Sequence, residues 1–254
     1  AGVLVYDLAV NTARNLANRN IASGWDFLTR NSGFDVVFSL IAWVMRRSLG
    51  VTLFTFLGLL LIYNQGYWKE TMETLALVLA ATGVCMVIGV PIGIACARRP
   101  WLYAAVRPVL DLMQTIPTFV YLIPALILFG LGMVPGLIAT VIFAIAAPIR
   151  LTRLGIISTP PSLVEAAVAF GATPMQVLRK VELPFATPQI MAGLTQTIML
   201  SLSMVVIAAL VGANGLGVPV VRALNSVNTS LGFESGFIIV VVAILLDRML
   251  RVSK

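Results

Sequence analysis

From about residue 48 onward the sequence is a succession of long apolar runs, interrupted only by short stretches where arginine, glycine and proline collect. That pattern limits the fold before any other feature does. Crossing the hydrocarbon of a bilayer takes roughly 20 mostly apolar residues in a helix. In lipid, the backbone must also satisfy its own hydrogen bonds, which leaves only helices and closed barrels. A barrel strand alternates polar and apolar residues over about ten positions, whereas the runs here are continuous. The chain therefore reads as an all-α integral membrane protein. Composition agrees: 59% of residues are hydrophobic and 11% charged, and mean hydropathy is +1.01, against about 25% charged in an ordinary soluble domain.

The interruptions divide the chain into six predicted spans, at about 48–63, 71–97, 108–130, 131–149, 185–211 and 233–250. Residues 1–47 form a separate polar amino-terminal segment, rich in asparagine, which ends in a surface helix at 36–45 and in Arg46-Arg47 at the interface; 48–254 form the transmembrane domain. Two charges in mid-bilayer would be costly, so the arginine pair begins the first span rather than interrupting it. No cleavable signal is expected, because the first 35 residues lack an apolar stretch of signal length. Tyr67 and Trp68 read as an interfacial aromatic belt. In the second span Gly83, Gly89 and Gly93 suggest a face for close helix packing, and Pro91 a kink. Gly132, Pro135 and Gly136 predict a tight turn before the fourth span. The fifth is rich in Ala, Ser and Thr, which pack and hydrogen-bond between helices. Between it and the last span, an Asn214-Gly215 turn leads to a half-apolar piece at 218–227 that suits a re-entrant or interfacial helix.

The net charge of +7 is a matter of placement. With six spans and residues 160–184 in the cytoplasm, every one of the 17 lysines and arginines falls inside except Lys69 and Arg222. This is the positive-inside asymmetry of a membrane protein, and it removes the need for a nucleic-acid partner. Placing the amino-terminal segment outside, with Arg46 and Arg47, would weaken the asymmetry without reversing it. Histidine is absent, which excludes a histidine-based catalytic or zinc site. The two cysteines, Cys85 and Cys96, lie roughly 16 Å apart along one predicted helix and cannot bridge within it. They read as small core residues.

Residues 160–184, PPSLVEAAVAFGATPMQVLRKVELP, are the stretch able to meet a soluble partner. Ser162 and Glu165 have capping-box spacing after Pro160-Pro161, and Gly171 suits the end of that helix. Thr173, Pro174 and Gln176 repeat the start signal, and Leu183-Pro184 closes the second helix, since a residue before proline leaves the helical region. Two readings stand side by side. Either this is a well-capped surface loop with Glu165 serving as a cap, or Ala166, Ala167 and Phe170 form the apolar face of a short helix that lies in a partner's groove.

The same residues carry a family resemblance. Glu165-Ala166-Ala167, Gly171 and Leu183-Pro184 resemble the cytoplasmic coupling loop, or EAA motif, of ABC-importer permeases. The chain from about Trp68 to Leu250 is similar to the permease subunit of glycine betaine/proline importers and their relatives for choline-like amines. The matching segments include RPVLDLMQTIPTFVYLIP at 107–124, FGLGMVPG at 129–136 and IMAGLTQTIMLSLSMVVIAALVGANGLG at 190–217. The resemblance implies the type I ABC importer permease fold, in a bacterial inner membrane. It also implies an ATP-binding subunit docked on the coupling loop from the cytoplasmic side, and an external substrate-binding protein. The chain has no Walker A sequence, so ATP, the only cofactor expected, belongs to the partner subunit and no catalytic or metal site is expected here. One coupling stretch per chain implies a homodimer for two ATPase subunits.

Pathway candidates lie in the third span. Asp111 near its inner end is a charged residue in or near lipid, or simply an interfacial partner for Arg107 one turn earlier. Pro117 and Pro124 break the helix to line a cavity, or only bend it. Phe119 and Tyr121 offer aromatic faces to a quaternary ammonium, or pack as ordinary aromatics. Arg222 and Glu234, on the outer side, are contacts for the binding protein or routine surface charges. Three other functions compete. One is a polar amino-acid ABC permease, prompted by the likeness of NLANRNIASGWDFLTRNSGFDV at 15–36 to such proteins. The others are a self-sufficient channel or secondary transporter, and an intramembrane enzyme, for which no catalytic cluster is evident.

Overall fold

Apolar runs that must close their own hydrogen bonds become helices wherever the chain is described. The structure is a computed structural model that describes residues 49–250; the expectations for 1–47, including the surface helix and the arginine pair, lie outside those residues. In chain order the helices are α1 (Leu49–Asn64), α2 (Trp68–Arg98), α3 (Pro100–Thr115), α4 (Thr118–Phe129), α5 (Met133–Ala144), α6 (Ala146–Ile157), α7 (Pro161–Ala169) and α8 (Pro174–Val177). A π-helical turn, Leu178–Glu182, leads from α8 into α9 (Leu183–Ser203), followed by α10 (Val205–Leu210), α11 (Gly217–Ser226) and α12 (Thr229–Leu250).

Four stretches are long and apolar enough to cross a membrane alone: Trp68–Arg98, Met133–Ile157, Pro174–Leu210 and Thr229–Arg248. The bent pair α3–α4 makes a fifth, and the shorter apolar helix Thr52–Asn64 corresponds to the predicted first span. The predicted third span, 108–130, is corrected. It is an elbow rather than one rod, with α3 and α4 meeting at 90°. The cause is local. Ile116, the residue before Pro117, takes an extended conformation (φ −68°, ψ 130°) that ends α3, and Pro117 (φ −53°, ψ 134°) restarts the chain as α4. Pro124, by contrast, lies inside α4 without ending it, and α2 runs on through Pro91. The tight turn before the fourth span comes earlier than predicted, at Gly130 (φ 73°) and Gly132 (φ 145°), with Pro135 and Gly136 already in α5.

The centre of the fold is the packing of α6 against α9 and α2. It depends on missing side chains. A Cβ on Gly93 of α2 would lie 2.8 Å from the Ile149 carbonyl oxygen and from Thr152 Cβ, and one on Gly155 of α6 would lie 2.9 Å from both Ala186 and Gln189 of α9. Lipid supplies no strong hydrophobic drive between helices, so association leans on close van der Waals approach of this kind. Gly83, expected on the same packing face, has open space around it instead. A larger apolar core joins α1, α2, α9, α10 and α12 through Ile62, Val78, Ile198, Val205 and Ile238, with Leu216 of the following loop. Trp68 packs against that core and meets the edge of Tyr63, ring centroids 6.3 Å apart, so it is tied into the fold as well as standing at a helix end. Cys85 and Cys96 are buried and free, as expected.

Four hydroxyls of the fifth span behave differently from the expectation. Thr187, Thr195, Thr197 and Ser203 donate to the carbonyl four residues back in their own helix, Thr197 to Gly193 at 2.7 Å. In an apolar medium the nearest unshared carbonyl lone pair is on the same helix, and it wins. An exception comes from α2: Thr74 Oγ1 donates to Glu70 O (2.8 Å) and accepts from the Leu216 amide (2.8 Å), pinning the loop that holds the Asn214-Gly215 turn. The predicted amphipathic piece after that turn is α11, which packs on α12 and α10.

Candidate functional site

The stretch at 160–184 begins where α6 ends. Ser158 Oγ caps a carbonyl of its last turn (Leu154 O, 2.6 Å), and Thr159 is buried before Pro160 turns the chain into α7. Because α7 starts at Pro161 with Pro160 as N-cap and no side-chain cap, Ser162 and Glu165 fall inside the helix rather than at cap and third position. The expected capping box is therefore not formed there. Proline, preset for helical φ and lacking an amide to satisfy, starts the helix unaided. Glu165 is exposed and makes no hydrogen bond or ion pair with any described residue.

At its other end α7 closes as expected. Gly171 (φ 81°) donates to Val168 O (2.8 Å) and Ala172 to Ala167 O (3.0 Å), the paired bonds of a Schellman motif. Two residues later the second start signal also forms: Thr173 and Gln176 make a capping box, with the Thr173 amide donating to Gln176 Oε1 at 2.8 Å.

Leu183-Pro184 does not close the second helix. The chain passes through the π turn, in which the Leu183 amide reaches back five residues to Leu178 O, and continues without a break into α9. Proline cannot donate and crowds the carbonyl four residues back. Shifting the ladder to five-residue bonds just before Pro184 is what lets one helical stretch run from Pro174 to Leu210.

The result is an anchored element with an uncovered face. Val177 and Leu178 are buried, and Leu178 packs with Ile156 of α6 and Ala186 of α9, beside Leu183, Ile94 and Ala97. Arg98, the last residue of α2, donates from Nη2 to the Pro174 carbonyl at 3.0 Å. Yet α7 buries none of its residues. Phe170 is 93% exposed, Val168 57% and Leu163 47%; Ala166 is exposed and Ala167 half-buried. Leu183 belongs to the anchor, Pro184 to the surface.

The pathway candidates are not brought together. Asp111, on α3, is held by two arginines: Arg150 Nη2 donates to its Oδ1 at 2.6 Å, and Arg107 Nε stands 3.8 Å from Oδ2. Arg150 and Arg153, just past the end of the predicted fourth span, are residues of α6, and Arg153 stacks its guanidinium 3.5 Å from the centre of the Tyr103 ring. Sequence reading missed both contacts. Its one usable signal was an isolated carboxylate at the basic inner end of a span. Pro117 forms the elbow. Phe119 and Tyr121 are two residues apart on α4, about 200° around the helix axis. Phe119 is half exposed, while Tyr121 packs beside Leu122, Ala139, Met204 and Val211 with its hydroxyl buried and without a hydrogen-bond partner among the described residues. They do not form a shared aromatic cage. Arg222 is exposed on α11, and Glu234 lies half-buried in α12. Among the described residues no His, Cys, Asp and Glu group could hold a metal.

Residues 89–253 match the family described as binding-protein-dependent transport system inner membrane component. The chain is 51% identical over 214 residues to the glycine betaine transport system permease protein OpuAB of Bacillus subtilis, covering 84% of this chain and 76% of that one. It is 50% identical over 214 residues to the glycine betaine/proline betaine permease ProW of Escherichia coli, of which it spans 60%. Among solved structures, the inward-facing MetNI methionine ABC transporter superposes with a TM-score of 0.63 at 26% identity, covering 72% of this chain and 94% of the other. A helical membrane fold, an anchored helix pair at the EAA positions and these likenesses lead to one assignment. The chain belongs to the binding-protein-dependent transport system inner membrane component family and is a multi-pass permease subunit of the type I ABC importer class in the bacterial inner membrane.

Proposed function

We propose that this chain is the transmembrane subunit of an ATP-driven importer of glycine betaine or a closely related solute such as proline or choline, and that α7 docks in a groove of a separate ATP-binding subunit. The observation that carries the docking is the contrast within one short stretch. The α8 end is fixed by Val177, Leu178 and the Arg98 bond, while at α7 Leu163 and Phe170, seven residues apart and so on one side of the helix, are exposed with none of the described residues over them. A helix-in-groove contact uses such a face, and a stiffly anchored helix can pass a displacement on to the membrane helices. The solute comes from the relatives, whose names specify glycine betaine, proline betaine and carnitine. ATP is bound by the partner, and this chain needs no cofactor. An external binding protein delivers solute to the outer face. One coupling stretch per chain means that two copies pair to receive two ATPase subunits.

Reconstitution in liposomes tests this. With the ATPase subunit and binding protein present, ATP-dependent uptake of labelled glycine betaine is expected. Glu165→Lys or Gly171→Trp should leave insertion intact and abolish solute-stimulated ATP hydrolysis. Uptake by this chain alone, without ATP or ATPase, would refute the importer reading in favour of a channel or secondary transporter. Binding of a polar amino acid in preference to betaine by the partner binding protein would reassign the solute.

A further inference from the structure

Helix α3 is weakly held by apolar contact. Leu110 is its single fully buried side chain; with Val106 and Met113 it forms a narrow seam on Ala146 and Ile149 of α6 and Ile92 of α2. Much of the rest faces outward, Trp101 at 67% exposure among it. A seam this narrow resists separation but does little to stop a helix rolling about its axis. The directional contacts come from α6. Arg150 grips Asp111 and Arg153 covers Tyr103, at points eight residues apart on α3 and therefore about 12 Å along one face. The Arg153 Nε is buried without a hydrogen-bond partner among the described residues, so this edge of the guanidinium gives up solvation where it lies on the ring.

Helix α6 also has a second connection. It is locked to α9 at Gly155 and to α2 at Gly93, and its end at Ile157 is followed within three residues by Pro160 and α7. We propose that Arg150 and Arg153 form a latch that fixes α3, and with it the 90° elbow at Ile116–Pro117, to the helix that enters the coupling loop. The two arginines, Asp111 and Tyr103 are positioning residues. They make the elbow follow displacements of α7 instead of rolling freely on the apolar seam. This rests on the reading that α7 receives the ATPase subunit.

The test uses the whole importer in liposomes and reads solute moved per ATP hydrolysed, which a purely structural contact would not shift selectively. R150D and D111R should each lower that ratio about tenfold, while the ATPase subunit still co-purifies. The charge-swapped D111R/R150D double variant should recover it to within about threefold. Y103F, which keeps the aromatic face, should behave as wild type and Y103L as R150D. A second reading does not depend on transport. Spin labels on W101C and L154C, in a C85A/C96A background, should give a narrow distance distribution that broadens in R150D and narrows again in the double variant. An unchanged distribution in R150D, or a double variant as uncoupled as the singles, overturns the latch. Label distances that respond while the wild-type complex shows no ATP-dependent uptake uphold the latch and overturn the importer reading.

Discussion

Phe170→Ala separates folding from docking. The side chain is 93% exposed, so its removal takes almost nothing from the packed core, and a surface change of this kind moves stability by about 0.5 kcal/mol or less. If α7 sits in a groove of an ATPase subunit, the same ring becomes buried there. Burying a phenylalanine is worth about 1.5–3 kcal/mol. Taking about 2 kcal/mol, the dissociation constant of the ATPase subunit should rise about thirtyfold, since each 1.4 kcal/mol is a factor of ten. The assay is titration of detergent-solubilised permease with labelled ATPase subunit, alongside thermal unfolding of the permease alone. Expected are an unchanged unfolding midpoint and the large loss of affinity. An affinity within about threefold of wild type, with folding intact, would refute the reasoning, because the exposed ring would then face lipid or water in the assembly as it does in the isolated chain.

Gly155→Leu forces a side chain into the space where a Cβ already comes within 2.9 Å of Ala186 and Gln189; overpacking of this kind costs about 1–3 kcal/mol, visible as a lowered unfolding midpoint, whereas Gly83→Leu, with open space, should be tolerated. Thr74→Val leaves the buried Leu216 amide without its acceptor, a loss of about 1–3 kcal/mol. Hydrogen exchange at Leu216 should quicken about tenfold or more, with α6 unaffected.

Short-range chemistry made much of this molecule readable. Hydropathy located the four long spans, because the bilayer requirement acts on each run of residues by itself. Gly171 and the Thr173–Gln176 pair were recognisable as caps because every atom in those motifs lies within about five residues. Where two local signals competed, reading failed. Ser162 and Glu165 had the spacing of a box, yet Pro160-Pro161 set the helix start two residues too early for it. Pro184 looked like a terminator, but the π turn before it absorbed the missing donor. Pro117 and Pro124 were alike as sequence signals, and just one of them became an elbow.

Residue order alone was enough for an all-α membrane protein and for the succession of its apolar runs, since both depend on composition along the chain. Tertiary structure alone decided which glycines carry the packing, that α7 stays uncovered while α8 is anchored, and that Asp111 belongs to Arg150 rather than chiefly to its neighbour Arg107. The reason is distance along the chain: Asp111 and Arg150 are separated by 39 residues, Leu216 and Thr74 by 142. No periodicity encodes contacts of that range. They exist only once α6 has been seated against α2 and α9 by the missing side chains of Gly93 and Gly155.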